Sequence, residues 1–158
     1  MTTPADAATL LYVEDSESDV LFFRRAMDQV AAAVSVKVVS DGAQAIDYLS
    51  GKDPYSDRVA HPYPAVMLLD LKLPKKSGLD VLEWMKKQGL KSPKVIVLTA
   101  SAESGDVQAA YRSGAFAYVV KPVSIGPLLL IAKALAVFCR DPDHADAGLL
   151  GWHVRPFL

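Results

Sequence analysis

Ala65-Val66-Met67-Leu68-Leu69-Asp70 is the stretch that decides the fold. Five apolar residues without alternation fit a strand covered on both faces, as in a parallel sheet with helices above and below, and the run stops at a carboxylate. Downstream, the turn-forming segment 74–78 (Pro-Lys-Lys-Ser-Gly) leads into Leu79, Leu82 and Met85 at helical spacing. Residues 95–98 repeat the buried-strand pattern and end at Thr99. Residues 103–114 read as a helix through Val107, Ala110 and Tyr111, with Gly114 as its stop. A fifth strand, 117–120, closes on Lys121-Pro122. Ser124 is placed to cap the last helix and Pro127 suits its first turn, and apolar residues 128–139 run on until Asp141-Pro142 breaks them.

Upstream of the same stretch, residues 51–64 hold three prolines and no periodicity, which predicts an extended loop. Before it, Val36, Val38 and Val39 form a β-branched run broken by Asp41-Gly42, and Ala43, Ile46 and Leu49 follow at helical spacing up to Gly51. At the start, the apolar strand 10–13 ends in Glu14-Asp15. Ser16, Ser18 and Asp19 then offer capping chemistry before Val20, Phe23, Met27 and Val30. Five strands alternating with five helices predict an α/β fold of flavodoxin-like type, a doubly wound five-stranded parallel (βα)5 sheet.

The 158 residues suit one domain with a substantial core, and 51% hydrophobic with 22% charged residues is ordinary for a folded chain. Seventeen basic against eighteen acidic residues leave a net charge of −1, so no global field favours nucleic acid or an anionic membrane. The lone Cys139 has no partner for an internal disulfide, and no secretory leader pattern opens the sequence; a cytoplasmic location is the expectation. No apolar run reaches the roughly 18 residues that span a bilayer.

In open α/β sheets, ligands bind beyond the carboxyl ends of the strands, where strand order reverses. Glu14-Asp15, Asp70, Thr99 and Lys121 all follow strands, so the fold gathers them at one edge. Three carboxylates there repel one another unless a cation joins them, and oxygen donors favour a hard divalent ion such as Mg²⁺. The metal would screen Asp70 and a phosphoryl oxygen, Lys121 would supply a point charge and Thr99 a hydroxyl, a set that fits phosphoryl transfer. Taken singly, these residues read as readily as a solvated loop, a cap, a strand-end hydroxyl and a surface lysine. Their joint placement is what singles them out.

Glu14-Asp15, Leu69-Asp70 with Leu73-Pro74 and Gly78, Thr99-Ala100 and Lys121-Pro122 together resemble the receiver domains of two-component response regulators, over roughly residues 9 to 139. The resemblance implies residues 1–8 as an N-terminal extension, 9–139 as the receiver domain and 140–158 as a C-terminal tail. It implies that Asp70 is phosphorylated by a histidine kinase, and that Glu14, Asp15, Asp70 and the Lys72 backbone carbonyl hold Mg²⁺. It implies that Lys121 contacts the phosphoryl group and that Thr99 and Tyr118 form a switch in which Tyr118 turns inward. It also implies a cis peptide at Lys121-Pro122. A side chain at position 72 affects phosphoryl lifetime in the family, and here it is a lysine. Such a chain is a phosphoacceptor signalling protein, catalysing only its own phosphorylation and dephosphorylation, and no turnover enzyme.

The long loop before the third strand, the segment 71–78 and the short remainder after residue 139 resemble stand-alone regulators paired with phytochromes, which implies a bacteriophytochrome-type kinase as donor. The last helix carries a single charge, Lys133, between residues 125 and 139, so a homodimer through that helix and the adjacent strand, with Tyr111 and Tyr118 nearby, is expected to bury its spare apolar face. Leu149, Leu150, Trp152, Val154, Phe157 and Leu158 make the tail apolar enough to dock. A haloacid-dehalogenase-type phosphatase would need a second acid where Lys72 stands. A nucleotide-binding enzyme would need a glycine-rich loop where Glu14-Asp15-Ser16 would repel phosphate. Two alternatives stay open: a relay intermediate that passes its phosphoryl group to a histidine phosphotransfer protein, and an unphosphorylated scaffold.

Overall fold

A computed structural model describes residues 7–30 and 33–144. Its strands are β1 (Ala8–Val13), β2 (Val34–Val39), β3 (Val66–Leu69), β4 (Lys94–Thr99) and β5 (Ala117–Val120). Its helices are α1 (Glu17–Val30), α2 (Gly42–Ser50), α3 (Gly78–Lys87), α4 (Ser104–Arg112) and α5 (Ile125–Arg140). The sheet runs β2-β1-β3-β4-β5 with every neighbouring pair parallel. Strand order therefore reverses between β1 and β3, which opens a crevice at their carboxyl ends. The predicted fold class, a flavodoxin-like five-stranded parallel sheet, and all five strand and helix positions are met.

Period-two alternation sorts the core into two layers. Leu10, Tyr12, Val66, Leu68, Ile96, Leu98 and Val119 pack under α1 and α5. Leu11, Val13, Met67, Leu69, Val97 and Tyr118 pack under α2, α3 and α4. The four residues of β3 are fully buried, as a central strand covered on both faces requires.

The last helix is better covered by its own domain than its composition implies. Ile131, Ala132, Ala134, Leu135, Ala136, Phe138 and Cys139 of α5 are buried, and the exposed residues are Ile125, Gly126, Leu130, Lys133, Val137 and Arg140. Ala132, Ala134 and Ala136 are buried against the domain, while Ile125, Leu130 and Val137 stay about half exposed. The expected dimer contact needs correcting in one respect: Tyr118 is 0% exposed and Ala117 and Val119 are equally buried, so the adjacent strand offers no side chain from these positions to a partner. Burial also pushes the Cys139 thiol up to about 12, which makes it an inert core residue. No helix among the described residues is long and apolar enough to cross a membrane. The apolar tail residues from Leu149 to Leu158 lie outside the described residues.

Residues 51–64 form a loop, pinned at both ends. Arg58 donates to the carbonyls of Tyr48 (2.8 Å) and Leu49 (3.1 Å), closing the carboxyl end of α2, and Tyr48 donates to the Pro62 carbonyl (2.8 Å). Tyr63 donates to the Ser92 carbonyl (2.7 Å).

The segment between β3 and α3 is set by close backbone packing. Ser77 caps α3, accepting from the Asp80 N–H while Asp80 accepts from the Ser77 N–H. A Cβ at Gly78 would lie 2.3 Å from the Asp70 carbonyl oxygen and 2.8 Å from Leu71 Cα, and one at Gly42 would lie 2.0 Å from the Lys76 carbonyl oxygen. Glycine at both positions lets the loop that carries Asp70 lie flat between α2 and α3. Gly78→Ala should therefore destabilise the fold by about 1–3 kcal/mol, the usual cost of forcing atoms into packed space. Ser77→Ala should cost about 1 kcal/mol through the lost cap. Urea denaturation checks both, and a Gly78→Ala midpoint equal to wild type would contradict the packing argument.

Candidate functional site

Register brings the site together. Val13 pairs with Leu69, so the next residues, Glu14 and Asp70, emerge side by side from β1 and β3. Asp70 N–H donates to the Val13 carbonyl (3.1 Å) and Glu14 N–H to the Val39 carbonyl (3.0 Å), which fixes both main chains. Thr99 ends β4, and Lys121 N–H donates to the Thr99 carbonyl (2.8 Å) one strand further. Asp70 is 6% exposed, Glu14 2% and Thr99 1%, so these polar groups meet in a pocket largely shut off from bulk water.

The Lys121 ammonium stands at the centre. Its Nζ lies 3.0 Å from Asp70 Oδ2, 2.9 Å from Glu14 Oε2 and 2.8 Å from Asp19 Oδ2. The contacts to Asp70 and Asp19 are hydrogen bonds; that to Glu14 is a close ion contact without hydrogen-bond geometry, so no donor is aimed at buried Oε2. Thr99 Oγ1 donates to the other Asp70 oxygen, Oδ1, at 2.8 Å, and the Lys72 N–H donates to the same oxygen at 3.3 Å. Tyr118 lies beneath Thr99 on the α4 side with its hydroxyl donating to the Ser101 carbonyl (2.8 Å).

Charge is unevenly shared in this cluster. Burial, then the contact with the Asp70 carboxyl, pushes Glu14 up to about 7, against the pull of Lys121. Burial also works to raise Asp70, but Glu14, Lys121 and Thr99 outweigh it and hold Asp70 below the usual carboxylate range. Of the two, Glu14 thus binds a proton more readily and Asp70 holds its charge more firmly, the expected direction for two carboxyls in one dry site. Burial pulls Lys121 down, yet its contacts with Asp19, Glu14 and Asp70 raise it beyond an ordinary lysine, so it stays charged.

Carboxylate oxygens of Glu14, Asp15 and Asp70 all lie within 4.8 Å of one another. With Glu14 Oε2 lacking a hydrogen-bond donor, this oxygen-only set fits a small, hard divalent cation.

All five positions expected from the sequence to meet at this edge do meet. Asp19 was not among them, having been read as a cap; Ser16 takes that role, its Oγ accepting from the Asp19 N–H (3.3 Å), which frees the Asp19 carboxylate for Lys121. The expected cis bond at Lys121-Pro122 is corrected: among the described residues the cis bonds are Asp53-Pro54 and Ser92-Pro93. The trans form is the lower-energy isomer, and the β5 register with its three acidic partners already aims Lys121 into the pocket. Ser124 precedes α5 as expected, but its side chain makes no capping hydrogen bond.

Residues 10–133 match the family described as response regulator receiver domain. A probable methanogenesis regulatory protein, FilR2, of Methanothrix harundinacea is 32% identical over 152 residues, covering 96% of this chain and 89% of the relative. Response regulator Rcp1 of Synechocystis sp. is 31% identical over 130 residues, 82% of this chain and 86% of the relative. The Mn²⁺-bound form of Rcp1 superposes with a TM-score of 0.75 at 29% identity, over 89% of this chain and 99% of that one. A response regulator in red light signaling of R. palustris superposes with a TM-score of 0.77 at 32% identity, over 83% of this chain and 92% of that one. With the acidic cluster, the central lysine and the strand-end threonine in place, the chain belongs to the response-regulator receiver family and is similar to solved phytochrome response regulators within it, the cyanobacterial RcpA (TM-score 0.76, 29% identity) and the bacteriophytochrome regulator RtBRR (TM-score 0.68, 35% identity) among them.

Proposed function

We propose that this protein accepts a phosphoryl group on Asp70 from a sensor histidine kinase and signals through the change of shape that follows. The observation that carries the reading is the Asp70 carboxylate, kept charged, with Lys121 Nζ at 3.0 Å and Thr99 Oγ1 at 2.8 Å on its two oxygens. In the transfer, an Asp70 oxygen attacks phosphorus, an O–P bond forms, and the N–P bond of the phosphohistidine breaks with its electron pair leaving on the imidazole. Lys121 and Thr99 sit where they would neutralise and hydrogen-bond the phosphoryl oxygens. Glu14, Asp15, Asp70 and the Lys72 backbone carbonyl would hold Mg²⁺, which when bound supplies charge neutralisation between the carboxylates and the phosphoryl group.

Thr99 and Tyr118 are the readout. Thr99 Oγ1 donates to Asp70 and the Tyr118 ring is buried, so a phosphoryl group on Asp70 would draw the Thr99 hydroxyl onto one of its oxygens and bias where Tyr118 sits. A groove of about 200 Å³ between α1 and the β5–α5 connection, lined by Phe22, Val123 and Ile125 and reaching Lys121, would give a donor kinase an apolar surface to dock on near the pocket. Likeness to a regulator in red light signaling and to a bacteriophytochrome response regulator supports a bacteriophytochrome-type kinase as the donor. The homodimer would use Leu130 and Val137, half-exposed and two turns apart on one stripe of α5.

Acetyl phosphate with Mg²⁺ should add one phosphoryl group by intact mass, and chelation of Mg²⁺ or Asp70→Asn should abolish the gain. Failure of wild type to gain mass from acetyl phosphate and from a phosphorylated histidine kinase would overturn the assignment. Light scattering should return twice the 17.0 kDa chain mass, falling to one chain in Leu130→Glu/Val137→Glu; a monomeric wild type, with or without phosphorylation, would exclude the dimer.

A further inference from the structure

Lys121 and a divalent metal draw on the same carboxylates. Glu14 and Asp70 are contacts of the ammonium and members of the acidic cluster that fits the metal. Two cations sharing two carboxylates repel, and the singly charged ammonium is the one displaced from Glu14 when a doubly charged ion arrives. Asp19 differs from the others. It makes the shortest contact to the ammonium, 2.8 Å, it is absent from the metal-fitting cluster, and it comes from α1 rather than from a strand end. Its side chain is 39% exposed and that of Lys121 19%, so the pair sits at the mouth of the pocket with Glu14 and Asp70 behind it.

We infer that Asp19 is a positioning residue that belongs to Lys121 alone, holding the ammonium beside Asp70 while Glu14, Asp15 and Asp70 serve the metal. The inference rests on the phosphoacceptor reading above. Two of the ammonium's three N–H groups remain for Asp70 and an incoming phosphoryl oxygen while the third stays on Asp19. Without Asp19 the lysine would swing with its four-carbon stem or settle on Glu14, and in the second case it would compete directly with the metal.

The test compares wild type, Asp19→Ala, Asp19→Asn, Lys121→Ala and Asp19→Ala/Lys121→Ala, all in the full chain and checked for folding by circular dichroism. Two readouts are taken: the rate of phosphoryl gain from acetyl phosphate with Mg²⁺ by intact mass, and Mg²⁺ affinity by titration calorimetry. Asp19→Ala should slow labelling about tenfold, the worth of one charge-assisted hydrogen bond, and should weaken Mg²⁺ several-fold. Asp19→Asn, which keeps an acceptor oxygen but no charge, should stay within about threefold of wild type on both. In the Lys121→Ala background, Asp19→Ala should leave Mg²⁺ affinity nearly unchanged, because its effect runs through the lysine. Equal labelling by wild type and Asp19→Ala, equal losses in Asn and Ala variants, or the same loss of Mg²⁺ affinity with Lys121 absent would each overturn the positioning role. A wild type that acquires no phosphoryl group from acetyl phosphate or from a phosphorylated kinase overturns the phosphoacceptor reading itself, and the inference with it.

Discussion

Three carboxyl groups, Glu14, Asp19 and Asp70, converge on one ammonium, and the pocket is organised around that excess of acid over base. Two like charges about 4 Å apart in a partly desolvated site cost about 4 kcal/mol at an effective dielectric of 20. The domain meets this cost in two ways, by raising the proton affinity of Glu14 and by holding Lys121 charged among its partners. Glu14 Oε2 is left buried with the Lys121 ammonium 2.9 Å away but no hydrogen-bond donor aimed at it. A site with this residual demand for positive charge suits a divalent cation and, beyond it, a phosphoryl group that brings anionic oxygens to a cationic centre.

The rest of the architecture follows from delivering these groups to one point. Parallel pairing in a single register sends β1 and β3 out at the same level, so Glu14 and Asp70 leave the sheet as neighbours, and Thr99 and Lys121 follow from β4 and β5. Two-sided burial keeps the strands rigid. Glycine at 42 and 78 lets the loop after Asp70 lie close against α2 and α3, so the backbone that carries the carboxylate has little freedom.

Much of this was legible in the residue order because it depends on local patterns. Unbroken apolar runs such as 65–69 announce a parallel strand, and polar residues at the ends of four such runs are brought to one edge by the fold itself. What could not be read there depends on contacts between distant residues. Asp19 looks like a cap in sequence, and only the position of Ser16 and of Lys121, 102 residues away, reveals its other use. Arg58 and Tyr48 pin the long loop through carbonyls that no motif marks. The composition of α5 predicts an apolar helix nearly all round, but which residues stay outside is set by packing: Ala132, Ala134 and Ala136 are buried and Ile125, Leu130 and Val137 are half exposed. Lys121-Pro122 carries a family signature for a cis bond, while the lysine reaches the pocket without one.

The central claim is that the carboxylates around Lys121 form one cation-dependent site with Asp70 as its reactive member. Its most direct measurement is the stoichiometry and affinity of Mg²⁺ binding by titration calorimetry to wild type and to Glu14→Gln, which preserves size and removes the acid. The account predicts one site per chain, weakened at least about tenfold by the loss of one carboxylate ligand. Equal affinity in the two proteins, or no binding by wild type, would contradict it.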